Sequence, residues 1–135
     1  VGGTADDDRS NPANETPPNA FDRLQSSKWL GFGNSANLDW TFPLGNRPKV
    51  TAYSIASAND SLNRHPKNWT LQGSNDGTTF VVLDTRTGQF ATTTFQTFSY
   101  TVSSPGEYRI YRLSITATNG ANEIQLSEVI FAGCP

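Results

Sequence analysis

The chain has 135 residues, enough for one domain with a single core and too few for a second. Its 10 Lys and Arg against 12 Asp and Glu leave a net charge of −2, which excludes a nucleic-acid binder because phosphate affinity needs a concentrated basic surface. With 16 Thr, 13 Ser and 12 Asn but only 16% charged residues, it has the composition of an extracellular β-protein, and no apolar run approaches the ~20 residues of a membrane-spanning helix.

Residues 1–18 hold three Pro, two Gly and the acidic triplet Asp6–Asp8 without an apolar period, so they read as an irregular N-terminal arm with a solvated charge run. The chain opens at Val1 with no signal peptide, and it is expected to be one domain, 1–135, of a longer multimodular secreted protein. A helical turn is expected around Ala20–Leu24, with Asn19 placed to cap it. Trp29, Trp40 and Trp69 each fall in or beside strand-like apolar patterns and are assigned to the core.

From Lys49 to Ala58, Val50, Ala52, Tyr53 and Ile55 make a strand. Trp69 and Leu71 alternate with Thr70 and Gln72, Asn75-Asp76-Gly77 reads as a tight hairpin turn, and Phe80–Thr85 returns. Thr94–Val102, Tyr108–Thr118 and Ile124–Phe131 complete the set. About eight strands at this spacing predict an all-β fold, two antiparallel sheets packed as a jelly-roll sandwich with functional residues on the loops at its ends.

Several chemistries are removed by counting. Cys134 is the single cysteine, so an intrachain disulfide and a Cys cluster are impossible, although it can cross-link two copies in an oxidising compartment. His65 is the single histidine, which excludes any metal site needing two imidazoles. There is no GxGxxG, P-loop or HExxH, and the carboxylates Asp60, Asp76, Asp84 and Glu123 form no motif for glycosidase chemistry, so no enzyme activity is expected. Three N-glycosylation sequons, at Asn14, Asn59 and Asn68, read as coincidence in so Asn- and Thr-rich a chain.

Four stretches taken in order carry a resemblance: Asn19-Ala-Phe-Asp22 with Ser27-Lys-Trp29; Ser57-Ala-Asn-Asp60 with Arg64-His-Pro-Lys-Asn-Trp69; Leu71-Gln-Gly-Ser-Asn-Asp-Gly77; and Ile124-Gln-Leu-Ser-Glu-Val-Ile130. Together they resemble the discoidin-like domains (coagulation factor V/VIII type C domains), above all the bacterial family 32 carbohydrate-binding modules, over about Asn14 to Phe131. The resemblance implies a galactose-binding-domain-like sandwich that binds carbohydrate, has no catalytic activity and tethers a catalytic domain of the same parent chain to a polysaccharide or glycan. It also implies a structural calcium ion held by the carboxylates of Asp22 and Glu128, by Ser27, and by the carbonyls of Asn19 and Ser127, a donor set that suits an oxygen-seeking cation. Two positions depart from the usual pattern: Arg23 stands where relatives usually have Gly, and Ser27 replaces Thr. Without calcium, Asp22 reads as a turn cap and Glu128 as an exposed strand residue.

For the ligand, the polar loop Asn59–Asn68 concentrates Asn59, Asp60, Asn63, Arg64 and His65, groups that bridge sugar hydroxyls. Galactose-binding relatives use an Arg and a His, which the resemblance places at Arg64 and His65. The same loop also reads as internally tied by an Asp60–Arg64 ion pair. Phe32 and Phe90, set among glycines, are stacking candidates for a sugar face or closures of the core, and Asn119 and Asn122 lie in a turn within reach of the same rim. The alternative function is an adhesion domain recognising protein or phospholipid, but polar loops and a slight negative charge disfavour a membrane.

Overall fold

The computed structural model describes residues 3–134, with only the backbone of Cys134; Val1, Gly2 and Pro135 lie outside the described residues, as does the Cys134 side chain on which a cross-link would depend. These residues form ten strands: β1 (Thr4–Asp7), β2 (Trp29–Phe32), β3 (Ala36–Thr41), β4 (Lys49–Ala56), β5 (Pro66–Ser74), β6 (Val81–Arg86), β7 (Thr97–Thr101), β8 (Ile110–Thr118), β9 (Glu123–Leu126) and β10 (Glu128–Cys134). Period-two alternation drives them. In β8, Tyr111, Leu113 and Ile115 are buried while Arg112, Ser114 and Thr116 face outward, which gives one apolar face per strand.

All pairings are antiparallel. One layer is a five-stranded sheet in the order β1-β3-β8-β5-β6; facing it are a three-stranded sheet, β10-β4-β7, and a two-stranded one, β2-β9. Between the layers lie Trp29, Trp69, Tyr53, Tyr111, Leu38, Ile55, Leu71 and Leu113, each below 3% exposure. The result is the expected antiparallel β-sandwich.

A polar tie crosses this core. Tyr53 on β4 donates its hydroxyl to Asp84 Oδ2 on β6 at 2.6 Å and accepts Trp69 Nε1 from β5 at 2.9 Å. Asp84 is 2% exposed and is completed by Ser103 Oγ at 2.7 Å and Arg86 Nε at 2.9 Å. Burial pushes the Asp84 carboxyl up, yet the hydrogen bonds from Tyr53, Arg86 and Ser103 outweigh it and hold the group below its ordinary value.

Five expectations are corrected. The N-terminal arm is not irregular throughout, because Thr4–Asp7 pairs with β3 in the register Thr4↔Thr41 to Asp7↔Leu38. Nor is its acid run merely solvated: Asp7 Oδ2 accepts the indole N–H of buried Trp29 at 2.6 Å, and Asp8 accepts Asn37 N at 2.9 Å. The helical turn lies earlier, as a 3-10 turn over Pro17–Phe21, since Pro17 and Pro18 suit a helix start. The strand expected over Ile124–Phe131 breaks at Ser127, whose backbone N–H reaches Ala56 O at 2.9 Å as the chain changes partner from β2 to β4. Finally, Trp40 is only half-buried, packed among Phe21 at 5.1 Å and Phe42 at 6.1 Å at the sandwich margin.

Candidate functional site

Four connections gather at one end of the sandwich: β2–β3 (33–35), β4–β5 (57–65), β6–β7 (87–96) and β8–β9 (119–122). Backbone and amide hydrogen bonds fasten them together. Gly33 N donates to Asn122 O at 3.0 Å, Ala121 N to Asn63 O at 3.4 Å, and Phe95 N to Ala58 O at 3.3 Å. The Asn119 amide bridges His65 O at 2.9 Å and Gln89 O at 3.1 Å, so Asn119 serves the framework. Gly33 has φ of 134°, a conformation open to glycine, which lets β2 turn sharply beside Asn122.

On this rim stand two exposed rings: Phe32 at 49% exposure and Phe90 at 62%. Phe32 ends β2 directly opposite Glu123 of β9, and Glu123 Oε1 lies 3.5 Å from Arg64 Nε. An aromatic face, an acceptor-only carboxylate and a donor-only guanidinium thus adjoin at the mouth of the loops, and exposed Asn63 lies next to Arg64 on the same turn. Such a trio can cover the apolar face of a ring while exchanging hydrogen bonds with its hydroxyls. In the sequence Glu123 reads only as one of the candidate catalytic carboxylates. Its place opposite Phe32 follows from a pairing between segments 91 residues apart, for which the local sequence offers no signal.

The remaining loop candidates lie elsewhere. Asp60 makes no ion pair with Arg64; its Oδ1 takes Lys28 Nζ at 2.9 Å and Gln125 Nε2 at 3.0 Å. The bond from Lys28, aided by that from Gln125, holds the Asp60 carboxyl below its ordinary value. Asn59 is exposed on a separate groove of about 430 Å³, shared with Asn14, Glu15, Ser26, Ser27 and Lys28.

His65 is a correction. It is 2% exposed, both ring nitrogens are buried without a partner, and the ring packs 5.7 Å from Phe98. Burial depresses its pKa to about 4. The apolar side of the rim needs a filler beneath Arg64, and His65, first residue after the 3-10 turn Leu62–Arg64, points inward to provide it.

A second cluster forms beside the first 3-10 turn. Asp22 follows that turn, Leu24 N donates to its Oδ1 at 2.9 Å, and the Ser27 hydroxyl donates to its Oδ2. Glu128 opens β10 at 4% exposure and takes Arg23 N on Oε2 at 3.0 Å, while Oε1 is buried with no partner. Burial first, and Asp22 second, push the Glu128 carboxyl up to about 7. Asn19 and Ser127 flank the pair with their side chains already engaged: the Asn19 amide with Asn14 O at 2.7 Å and Lys28 O at 3.0 Å, the Ser127 hydroxyl with Ser57 O at 2.9 Å. Arg23 itself has φ of 63°, a left-handed conformation that glycine adopts freely, matching the departure noted in the sequence. Among the described residues no group of three or more His, Cys, Asp or Glu assembles, so a cation here needs hydroxyl and carbonyl oxygens to complete its shell.

Comparison with known proteins gives a consistent setting. The sequence matches the F5/8 type C domain over residues 4–130. Among solved structures, a CBM32 module of Clostridium perfringens in complex with GalNAc-β-1,3-galactose superposes with a TM-score of 0.81 at 13% identity, covering 98% of this chain and 95% of that one. The family 32 CBM of C. perfringens NanJ, in complex with galactose, gives 0.77 at 14% identity, covering 96% and 92%. The CBM32 of AlyQ, in complex with 4,5-unsaturated mannuronic acid, gives 0.72 at 19% identity, covering 99% and 95%. At such identities the likeness is one of fold. A peptide-N(4)-(N-acetyl-β-glucosaminyl)asparagine amidase of Arabidopsis thaliana is 39% identical over 118 residues, 82% of this chain. The chain spans only 16% of the length of that relative.

Proposed function

The chain belongs to the F5/8 type C domain family, and from that premise we propose that it is a non-catalytic carbohydrate-binding module which holds an attached, secreted catalytic domain against a polysaccharide or glycan. The observation that carries this reading is the rim trio: exposed Phe32, in register with Glu123, which in turn faces Arg64. Structural neighbours that carry galactose and GalNAc-β-1,3-galactose support it, and so does a longer relative whose name describes an amidase acting at a glycosylated asparagine. Weak binding suffices for this work. A tethered catalytic domain experiences an effective concentration near millimolar, so micromolar to millimolar affinity changes its occupancy of the surface.

We also propose calcium as the structural ion of the second cluster. The buried, unpartnered Oε1 of Glu128 beside Asp22 is an electrostatic deficit that a divalent cation removes, with the Ser27 hydroxyl and the carbonyls of Asn19 and Ser127 as further donors. The ion would join the first loop to the start of β10.

Two measurements test these proposals. In a glycan-array and insoluble-polysaccharide screen in calcium buffer, the wild type is expected to bind one glycan class saturably, and Arg64→Ala to lose at least about tenfold in affinity while remaining folded. Retention of full affinity by the mutant would move the site away from this rim. In thermal unfolding at pH 7, adding calcium is expected to raise Tm, EDTA to reverse the rise, and Glu128→Gln to abolish the response; an unchanged Tm would remove the ion from the proposal.

A further inference from the structure

We propose that Glu123 makes the rim selective for uncharged sugars over uronic acids, an inference that rests on the carbohydrate reading of this rim. Glu123 and Arg64 lie 3.5 Å apart with side chains 34% and 29% exposed, so both reach the ligand surface while already facing each other. A carboxylate only accepts hydrogen bonds and a guanidinium only donates them. A hexose hydroxyl does both, and two adjacent hydroxyls can donate to Glu123 and accept from Arg64 without disturbing the pair. A uronate replaces one hydroxymethyl group by a second acceptor-only anion. It must compete with Glu123 for Arg64 and meets the Glu123 charge at short range.

The ion pairs nearby lean the same way, while two cations of this end stand against it. Lys28 is taken by Asp60 at 2.9 Å and Glu15 at 3.4 Å. Within these ion pairs Arg64 and Lys28 meet Glu123, Asp60 and Glu15, two cations against three carboxylates. Arg9, beneath the β2–β3 turn, spends Nε on Ser35 O at 2.6 Å and a terminal nitrogen on Ser35 Oγ at 3.0 Å. Lys67, exposed at the head of β5, and Arg9 are cations of this end with no ion pair among the described residues, and they are the groups through which a uronate would most readily defeat the selection. His65 is buried and adds no charge near neutral pH.

The test uses pairs of ligands that differ only at C6: galactose and galacturonic acid, glucose and glucuronic acid, mannose and mannuronic acid. Each is titrated into the isotope-labelled chain at pH 7 and low ionic strength, with amide chemical shifts as the readout, for the wild type and Glu123→Gln. In whichever pair binds, the wild type is expected to favour the hexose by about tenfold or more, and added salt to narrow the gap by screening the repulsion. Glu123→Gln keeps an acceptor, removes the charge and frees Arg64, so its preference is expected to fall at least about fivefold, mainly through tighter uronate binding. Equal or tighter uronate binding by the wild type, or an unchanged preference in a folded Glu123→Gln, overturns the inference and leaves the carbohydrate reading standing. Failure of every hexose and every uronate to bind overturns both.

Discussion

His65 makes the stability of this chain depend on acid. Its ordinary pKa of 6.5 falls to about 4 in the folded state because burial disfavours the imidazolium. Between those values the unfolded chain binds a proton that the folded chain refuses. The contribution is therefore neutral above pH 6.5 and turns destabilising as pH falls, reaching on the order of 3 kcal/mol near pH 4. Glu128 acts with the opposite sign: its folded pKa of about 7 exceeds the ordinary 4.5, so its burial favours the folded state relatively more as pH falls through 7. Comparing the wild type with His65→Leu cancels the Glu128 contribution. Denaturant unfolding from pH 7 to pH 4 is expected to show the wild type losing stability relative to His65→Leu, with sugar binding at pH 7 retained by the variant. A pH profile parallel to that of the wild type would place the ring in contact with water. This is also where sequence reading reached its limit at the residue scale. Phe32 and Phe90 could be picked out as exposed rings from their glycine-rich surroundings, whereas the direction in which His65 points depends on a 3-10 turn and on Phe98, 33 residues away.

Among elements, the bond from Tyr53 to Asp84 ties the three-stranded sheet to the edge of the five-stranded one. Tyr53→Phe removes one hydroxyl, leaves Trp69 Nε1 without its partner in a dry interior and leaves Asp84 Oδ2 with Arg86 Nε alone. Its expected cost is about 2 kcal/mol, read as a lower midpoint in urea with an unchanged slope. A cost near zero would show that the two layers are held by apolar packing alone. The strands that carry this tie were legible, since Val50–Ile55, Trp69–Leu71 and Phe80–Thr85 announce themselves by alternation and by the Asn75-Asp76-Gly77 turn between the last two. Even there, the connection is longer than a two-residue turn, because Asp76 Oδ1 accepts the N–H groups of Thr78 and Thr79 and draws them into the loop. The break at Ser127 could not be read, because apolar residues run through both halves and the change of partner is made by Ala56 at the end of β4 and Ser57 just beyond it.

At the scale of the whole molecule, the sandwich was readable because about as many alternating runs as a jelly roll needs fall within a single domain's length. The pairing order was not, since β3 lies between β1 and β8, segments more than a hundred residues apart. The resemblance names Asp22, Ser27 and Glu128 together, and the structure does bring Asp22 beside Glu128 with the Ser27 hydroxyl on Asp22, whereas of the rim trio only Arg64 belongs to the loop singled out in the sequence. The N-terminal segment was the least legible part. Its prolines and acids look like linker, yet Asp7 secures Trp29 and β1 covers the flank of β3. That arrangement sets where the domain can be cut. A version beginning at Asn14, where the resemblance starts, would lay bare the backbone N–H and C=O groups of β3 and leave the Trp29 indole unpartnered. Such a truncation is expected to unfold at a lower temperature and to self-associate in light scattering, edge against edge, as uncovered strands do; a monomer of unchanged Tm would contradict this. With β1 in place, the outermost strand carries exposed Asp6 beside Asp7, and a second copy approaching the same flank meets like charge. Three aspartates that resemble a tether thus set like charge along a flank where two copies could otherwise zip sheet to sheet.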